Sequence, residues 1–353
     1  MNFTILVICA IVGGFIFQKL KIPGGMMVGS ALACALANIL LNLGGSLPIV
    51  KTIAQVLSGI YIGINVESEE LRGIKGIIKP LLIVMVGLFI TNIITGFLIY
   101  FISPFSLITS LLAVTPGGVN NIPLIAADMG ADPALVAIFQ SARMIIGVGI
   151  FPSLIKRLAD KRPKDNILVT NASKAPSTKK TKVSGKQYLQ LLVISLLAYL
   201  CGWLGVKTKL PSAYLVFPIL FCITLKALNF GPPAPKSLRA AAQLLTGIYI
   251  GTCIGAKDIQ ELPYIIIPLI IMISLFVLTF LITGWIIYKK HYFDYTEALL
   301  ASSPAGASDM ALITADLGIQ NTNLNLMQVA RLLLVVLLFP VIIQWLLHFV
   351  PWQ

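Results

Sequence analysis

Charged side chains are scarce in this chain of 353 residues: only 11% are Asp, Glu, Lys or Arg, whereas 58% are hydrophobic. Soluble domains carry charge on about 25% of their residues. Several apolar runs reach the ~20 residues that are needed to cross the hydrocarbon core of a bilayer. The composition excludes an ordinary soluble protein. It predicts an all-α polytopic protein of the inner (plasma) membrane, with the lipid bilayer as its solvent.

Histidine is also scarce, and the cysteines are not arranged in pairs. Only His291 and His348 are present, and neither has metal-binding or catalytic-triad spacing. The chain contains no Walker loop, no His-Glu-x-x-His motif and no paired intramembrane Asp motif. Its five cysteines are scattered through apolar segments, which is typical of small packing residues. We therefore expect no enzyme, no cofactor and no metal site.

Acidic residues are few, and the formal net charge of +13 is concentrated in one stretch. Between Lys156 and Lys186 lie ten basic residues, against Asp160 and Asp165. The stretch is rich in Ser, Thr, Asn and Pro, which predicts a disordered, solvated linker with a secondary affinity for anionic lipid headgroups. No helix-turn-helix, zinc or β-ribbon pattern accompanies it, so no direct nucleic-acid partner is expected.

The sequence repeats itself with a constant offset of 188 positions. The segment 59–63 is identical to 247–251, and the densest match joins 115–143 to 303–331. Further pairs span about 130 residues: Pro23 with Pro211, Gln55 with Gln243, Pro80 with Pro268, Tyr100 with Tyr288, and Pro152 with Pro340. A single offset over that length indicates an internal duplication. The predicted units are a first membrane repeat at 1–155, a basic cytoplasmic linker at 156–187 and a second membrane repeat at 188–353.

Each repeat contains six apolar segments, which in the first copy lie at about 3–18, 24–43, 48–66, 78–102, 105–128 and 133–155. The fifth is interrupted by Pro116-Gly117-Gly118, and in the second copy by Pro304-Ala305-Gly306. Proline removes a helical hydrogen bond and glycine removes side-chain constraint, so the helix should break there. Six crossings per repeat give parallel copies. Five crossings and a hairpin that turns back give inverted copies.

The distribution of basic residues favours the inverted arrangement. With the linker in the cytoplasm and five crossings per repeat, twenty basic residues lie inside and four outside, with Arg143 and Arg331 within the membrane. Six crossings give about sixteen inside and eight outside. The positive-inside rule therefore predicts two inverted repeats of five transmembrane helices plus a broken re-entrant hairpin each, with both termini outside.

Polar residues follow each break: Asn120 and Asn121 in the first copy, Ser308 and Asp309 in the second. Such residues are favoured at helix N-caps, so a half-helix is predicted to begin at each point. Its N-terminus suits an anion, and the carbonyls that end the preceding half-helix suit a cation. Inverted-repeat transporters bind substrate between such ends near the midplane. The alternative is a kinked packing helix with capping residues.

Two arginines, Arg143 and Arg331, lie midway along the sixth segments, where an arginine costs roughly 2.5–3.5 kcal/mol. Gln140 and Gln328 precede them by three residues, on the same helix face. The pattern predicts Gln/Arg pairs that line a polar cavity and touch an anionic substrate. The alternative is a structural ion pair with Asp309, Asp128 or Asp316. The predicted substrate-binding residues are Pro116, Gly117, Gly118, Asn120, Asn121, Gln140, Arg143, Pro304, Gly306, Ser308, Asp309, Gln328 and Arg331.

The remaining acids and the small residues receive separate interpretations. Asp309 is the candidate for a carboxylate linked to proton or sodium movement, because it follows the break at depth and its counterpart Asn121 is neutral. Asp128 and Asp316 each precede a helix-ending glycine by two positions, which predicts structural roles near a membrane surface. Gly59, Gly63, Gly247 and Gly251 have the spacing of close helix packing in lipid.

The block Pro-Gly-Gly, Asp-x-Gly and Gln-x-x-Arg, present twice with Ala305 as the one change, resembles the AbrB-like membrane protein family. The resemblance covers nearly the whole chain. The family is grouped with cation/proton antiporter and anion transporter folds, which implies an inverted-repeat secondary carrier. Some members are labelled ammonia monooxygenase or regulator of gene expression. In this family an acid often follows the Pro-Gly motif, as Asp309 does and Asn121 does not.

The sequence therefore predicts an ion-coupled secondary transporter of a small anionic solute that works by alternating access, with proton or sodium as the coupling ion. A membrane-embedded regulator or scaffold is the alternative that the family label implies. Whether the chain forms a homo-oligomer is left open.

Overall fold

The structure is a computed structural model that describes residues 2–20, 22, 24–41, 47–66, 68–159, 185–304 and 321–349. Within these ranges all regular elements are α-helices. They are α1 (Asn2–Lys19), α2 (Gly25–Leu41), α3 (Pro48–Ile64), α4 (Ser68–Ile102), α5 (Leu107–Ala113), α6 (Ile122–Asp128), α7 (Pro133–Ala159), α8 (Gly185–Val206), α9 (Ala213–Ala227), α10 (Lys236–Cys253), α11 (Ala256–Lys289), α12 (Tyr295–Ser302) and α13 (Thr322–Phe349).

Five of the described helices are long and apolar enough to cross a membrane, at Gly76–Ile102, Pro133–Ile155, Leu189–Val206, Pro263–Lys289 and Leu326–His348. Shorter apolar helices lie at Phe3–Lys19, Gly25–Leu41, Pro48–Ile64 and Ala213–Ala227. The apolar surface of α4 includes Leu82, Val86 and Ile90, each about half exposed and four residues apart. A stripe of exposed apolar side chains on a long helix faces lipid rather than water. The predicted all-α membrane protein is thus confirmed at the level of its helices.

The fourth helix differs from its predicted bounds because it begins at Ser68, ten residues before the apolar run at 78. Its first turns carry Glu69, Glu70, Arg72 and Lys75. These are residues with good helix propensity, so the backbone hydrogen bonds continue beyond the apolar part. Pro80 lies inside this continuous helix. A lone proline in an apolar helix is therefore accommodated here, unlike the Pro-Gly-Gly sequence described below.

Helices of the two copies pack against each other through reciprocal glycine contacts. A Cβ atom added to Gly59 would lie 2.7 Å from the carbonyl oxygen of Leu215 in α9, and one added to Gly247 would lie 2.7 Å from that of Met27 in α2. Gly63 meets Cys222, and Gly251 meets Cys34, in the same way. In both cases the contact of Gly247 or Gly251 joins the counterparts, at the offset of 188 positions, of the two residues in the contact of Gly59 or Gly63. The prediction of small-residue helix packing is confirmed, and so is the packing role of the two buried cysteines, Cys34 and Cys222.

Equivalent long helices of the two copies touch each other directly. The hydroxyl of Thr91 in α4 hydrogen-bonds that of Thr279 in α11, its counterpart at the offset of 188. A Cβ atom on Gly87, one turn earlier in α4, would lie 2.5 Å from Thr283, one turn later in α11. The two helices therefore run in opposite directions where they touch. Reciprocal contacts of this kind are those that a two-fold relation produces.

The predicted linker lies almost entirely outside the described residues. The last helix before it, α7, extends to Ala159, and the first helix after it, α8, begins at Gly185. Both helices thus reach a few residues into the predicted bounds of 156–187. The linker's solvation and its cytoplasmic location stay predictions.

Candidate functional site

The fifth apolar segment of the first copy is a pair of short helices. Helix α5 ends at Ala113 and α6 begins at Ile122, with Pro116-Gly117-Gly118 between them. The predicted break is confirmed. After α6, the backbone N–H of Asp132 donates to the hydroxyl of Thr109 over 3.1 Å. The start of α7 is therefore beside the start of α5, and residues 107–131 form a hairpin, which we call the first hairpin.

Side chains of α7 hold the first hairpin at its break. The Gln140 amide nitrogen lies 3.3, 3.1 and 2.8 Å from the carbonyl oxygens of Leu112, Ala113 and Thr115. Arg143 donates to the carbonyl oxygens of Thr115, over 3.2 Å, and Gly117, over 2.7 Å. Because α5 has ended, these carbonyls lack the partner four residues on that a continuing helix provides, although those of Leu112 and Thr115 also accept short-range backbone bonds. The Gln/Arg pair replaces those partners.

The break lies deep within the apolar layer. Arg143 is ten residues after the first residue of α7, Pro133, which corresponds to about 15 Å along a helix axis. The apolar span of α7 covers 23 residues, Pro133–Ile155. Arg143 therefore lies near the middle of this span, and its side chain is only 8% exposed. Its guanidinium carbon is 6.0 Å from the ring centre of Phe276 in α11, so it reaches the second copy.

The second copy repeats the anchor. Gln328 in α13 donates to the carbonyl oxygen of Leu300 over 2.7 Å, and Arg331 donates to that of Ser303. Both acceptors are the counterparts, at the offset of 188, of acceptors in the first copy. Arg331 also donates to the side-chain oxygen of Gln328 over 2.7 Å. The segment after Pro304, including Gly306, Ser308 and Asp309, lies outside the described residues.

A cavity of about 270 Å³ lies where the two anchors meet. The first break lines it with residues 116–121, and Pro304 and Arg331 line it from the second copy. Helices α3 and α10 add Ser58, Tyr61, Asn65, Arg239 and Gln243. Among the described lining residues there are three arginines and no carboxylate. The described lining of this central cavity is therefore cationic.

A sequence model of the family described as "Transition state regulatory protein AbrB" matches residues 1–159 and 166–347. These two matches cover nearly the whole chain, including both Gln/Arg anchors and both breaks. The chain belongs to the AbrB family. The family resemblance that the duplicated block indicated is thereby confirmed.

Two relatives of this AbrB-family chain are similar over most of their length. The "Putative regulator AbrB" of Escherichia coli (strain K12) is 25% identical over 344 residues, which are 95% of this chain and 93% of that protein. The "Uncharacterized protein YhjN" of Bacillus subtilis (strain 168) is 24% identical over 348 residues, which are 93% of this chain and 88% of that protein. Both alignments therefore extend through the two copies of this chain.

Within this AbrB-family chain, most of the predicted substrate-binding residues that the structure describes line the central cavity. They are Pro116, Gly117, Gly118, Asn120, Asn121, Arg143, Pro304 and Arg331. Gln140 and Gln328 do not line it, since both are buried behind the arginines as anchors.

The expected roles of the half-helix ends need correction. Asn121 precedes α6, but its side chain makes no capping hydrogen bond, and α6 is only seven residues long. A helix this short has few aligned peptide dipoles to hold an anion. The carbonyls at the end of α5, expected to suit a free cation, are occupied by Gln140 and Arg143. The positive charge of the site therefore comes from arginine side chains.

An ion pair between Arg143 and Asp128 was one of the alternatives that the sequence left open, but Asp128 has other partners. Its carboxylate lies 2.6 Å from the ammonium group of Lys51 and 2.6 Å from the side-chain nitrogen of Gln55. Arg143 instead bonds the carbonyls of its own hairpin, so an Arg143–Asp128 ion pair is excluded. Gly130, two residues on, has φ = +76°, which confirms the predicted helix-ending glycine.

Sequence reasoning missed Arg239 and Ser58 as cavity residues. Arg239 lies in the first turn of α10, and its guanidinium is 6.0 Å from the ring centre of Tyr61. Ser58 lies in α3 directly before Gly59. Its hydroxyl is buried and has no hydrogen-bond partner in the described part of the chain. The available signal was the repetition of polar residues beside the duplicated glycines at 59–63 and 247–251.

Proposed function

We propose that this AbrB-family chain is an inner-membrane secondary transporter that moves a small anionic solute by alternating access. One observation carries the proposal: a cavity of about 270 Å³, formed by both copies, contains three arginines and no described carboxylate. Binding sites for drug-sized ligands occupy about 300–1,000 Å³. A cavity just below this range fits a solute of small size.

The arginines provide the anion chemistry. Among the described residues, the hydrogen bonds of Arg143 go to two carbonyl oxygens and not to a carboxylate. A guanidinium has five N–H donors, so donors remain for a ligand. A buried cation without a counter-charge is unfavourable in a membrane, and an anionic solute supplies that charge. The unpartnered Ser58 hydroxyl at the cavity wall can donate a further hydrogen bond to it.

We further propose that the repeats are inverted in the membrane, each with five crossings and one re-entrant hairpin. The crossing helices are α1–α4 and α7 in the first copy and α8–α11 and α13 in the second. The opposite directions of α4 and α11 at their contact support this arrangement. The bond between Thr109 and Asp132 supports a hairpin that enters and leaves on one face.

Sidedness can be tested by cysteine labelling with an impermeant reagent. Positions Lys51, Lys209 and Lys257 are expected to label from outside the cell. The stretch 160–186 is expected to label only from the cytoplasm. Labelling of Lys21 and Lys75 positions from outside would instead show parallel copies and both hairpins crossing the membrane.

Coupling to a proton or sodium gradient is proposed to involve Asp309. This residue follows the second break in sequence, and its counterpart Asn121 lines the central cavity. Asp309→Asn should reduce or uncouple gradient-driven uptake more than Asn121→Ala, because only Asp309 can carry a charge. Equal effects of both substitutions on the gradient dependence would remove Asp309 from the coupling step.

The test of the function is solute uptake in proteoliposomes, screened over small organic and inorganic anions with and without proton and sodium gradients. Arg143→Gln and Arg331→Gln should abolish uptake of any anion that the wild type accumulates. Arg157→Gln is the matched control, because Arg157 is exposed at the far end of the same helix α7. Saturable uptake of cations or neutral solutes, unaffected by either cavity substitution, would contradict the proposal.

A regulatory function is the second candidate, and it is favoured by the description of the family and by the name of the Escherichia coli relative. Deleting 165–180 separates the two functions. A tether should tolerate the loss, because the entropy of loop closure changes slowly with length. An expression phenotype lost while uptake is preserved would favour regulation through the linker.

A further inference from the structure

Helix α3 borders two cavities, which are lined by residues about one helical turn apart along its axis. Ser58, Tyr61 and Asn65 line the central cavity, whereas Lys51 and Gln55 line a second cavity of about 540 Å³. Gln55 and Ser58 are three residues apart, which is about 4.5 Å along the helix axis. Only a thin layer of protein therefore separates the second cavity from the central one.

Two side chains of α3 fasten this layer to the first hairpin. The Gln55 amide nitrogen lies 2.6 Å from the Asp128 carboxylate and 3.3 Å from the carbonyl oxygen of Leu124, both in α6. The Lys51 ammonium group lies 2.6 Å from the other oxygen of Asp128. Gln55 is 1% exposed and Leu124 is fully buried, so these contacts are closed to water.

The ion pair at the outer edge of this layer is suited to opening. The Lys51 and Asp128 side chains are 22% and 20% exposed. Pairs with this contact to water contribute at most about 1 kcal/mol, so they break at low cost. The Arg143 contacts with the same hairpin are buried, and they hold its break while the pair at its end separates.

The equivalent positions in the second copy line a different cavity. The counterparts of Lys51 and Gln55 at the offset of 188 are Arg239 and Gln243, and both line the central cavity. Arg239 is exposed and its guanidinium lies over Tyr61. The central cavity is thus bordered by the end of α3 and the start of α10, opposite to the layer at Gln55.

We propose that Lys51, Gln55 and Asp128 form a gate between the central cavity and the second cavity, and that the second cavity is the vestibule through which the anion enters from the face opposite the linker. The inference deepens the proposed transport function and rests on it. Lys51 and Lys209 line the vestibule with Asp128 as the one described carboxylate, so an arriving anion meets a net positive charge. By taking the place of the Asp128 carboxylate beside Lys51, it releases α6 from α3.

The test measures access to the central cavity and needs no substrate. In a background without the five native cysteines, Ser58→Cys places one thiol at the cavity wall. A membrane-impermeant methanethiosulfonate is then applied from either side, using right-side-out and inside-out vesicles. With the gate intact, the thiol should react from the linker side and only slowly from the opposite face.

Gate variants should change that sidedness. Lys51→Gln and Asp128→Asn should raise the reaction rate from the face opposite the linker by about fivefold, the result of about 1 kcal/mol less closure. Lys209→Gln is the matched control, since it removes a lysine from the same vestibule without touching the gate. Exchanging the charges, with Lys51→Asp and Asp128→Lys together, should restore slow reaction.

Three outcomes would overturn the gate: fast reaction from the face opposite the linker with the gate intact, equal rates for Lys51→Gln and Lys209→Gln, or no restoration by the exchanged pair. A folded fraction measured for every variant by size-exclusion chromatography removes misfolding as a cause. Altered accessibility without anion uptake would reject the transported solute and keep the gate. Anion uptake by the wild type, together with unaltered accessibility of the thiol in the gate variants, would reject the gate and keep the transported solute.

Discussion

The two copies share the anchor that holds each hairpin but differ at the positions beside it. Gln140 and Gln328 bond equivalent carbonyls, as do Arg143 and Arg331. In α3, Lys51 and Gln55 are bound to Asp128. Their counterparts in α10, Arg239 and Gln243, line the central cavity instead. Features common to both copies thus build the site. Features that differ place the equivalent residues of the two copies in two different cavities.

The largest effect should come from filling a break. Gly118→Leu should abolish uptake, because even a Cβ atom there would lie 2.7 Å from the Asn121 side chain, and a leucine would extend into the cavity. Gly306→Leu tests whether the second copy shares the need. Gly149→Leu is the control, since nothing lies within 4 Å of its Cβ position. Near-wild-type uptake for both break variants would show that the breaks only serve packing.

Replacing each arginine by lysine should lower uptake by about 100-fold, because a guanidinium forks between two acceptors and an ammonium group does not, and each lost bond to a charged group is worth about 1.5–3 kcal/mol. Uptake per folded molecule in proteoliposomes measures the effect. Equal losses for Arg143→Lys and Arg331→Lys would confirm a common anchor. Unimpaired uptake by one of the two variants would show that transport needs the arginine anchor of the other copy alone.

Replacing the two glutamines compares how much each anchor contributes to the stability of the protein. Gln140→Ala should destabilise more than Gln328→Ala, since Gln140 contacts three carbonyls and Gln328 contacts one. An unsatisfied buried carbonyl costs about 1–3 kcal/mol. Thermal unfolding in detergent measures the difference without a substrate. A larger shift for Gln328→Ala would show that its bond with Arg331 is the more important one.

A smaller effect is expected at the cavity's edge. Arg239→Gln should raise the half-saturating solute concentration a few-fold when solute is supplied from the linker side, because it removes one of three cations. Lys51→Gln should leave that linker-side value unchanged, since Lys51 lies beyond the gate. Equal changes in both variants would mean that the two positions are equivalent and that the observed asymmetry has no functional meaning.

The smallest effect concerns the contact between equivalent helices. Thr91→Ala and Thr279→Ala should each destabilise slightly, with a coupling energy of about 0.6 kcal/mol in a double-mutant cycle. The two single effects should be equal, because each hydroxyl is the other's partner. Additive effects would show that the hydrogen bond contributes nothing to the association of the copies.

The sequence predicted the break and the anchor residues because these signals are local. Proline followed by two glycines ends α5, whereas Pro80 alone leaves α4 continuous. Glutamine and arginine three residues apart share a helix face regardless of the rest of the fold. The duplication strengthened both predictions, since the same residues recur in the second copy.

The partners of these residues could not be predicted in the same way. The bonds from Arg143 to Thr115 and Gly117 join backbone carbonyls, which leave no trace in residue type. Arg239 lies at the central cavity because α10 packs against α2 and α3, a contact between copies. The capping hydrogen bond expected from the Asn121 side chain is absent at the start of α6. Tertiary contacts decided each of these cases.

The hydrogen bond between Thr91 and Thr279 joins a position to its own duplicate. In a chain of half the length, that contact would join two identical molecules, and the opposite directions of α4 and α11 would require one of them to be inserted upside down. The ancestral form consistent with this geometry is an antiparallel homodimer with dual topology. Fusion of the two copies into one chain makes the contact intramolecular, so it no longer depends on protein concentration.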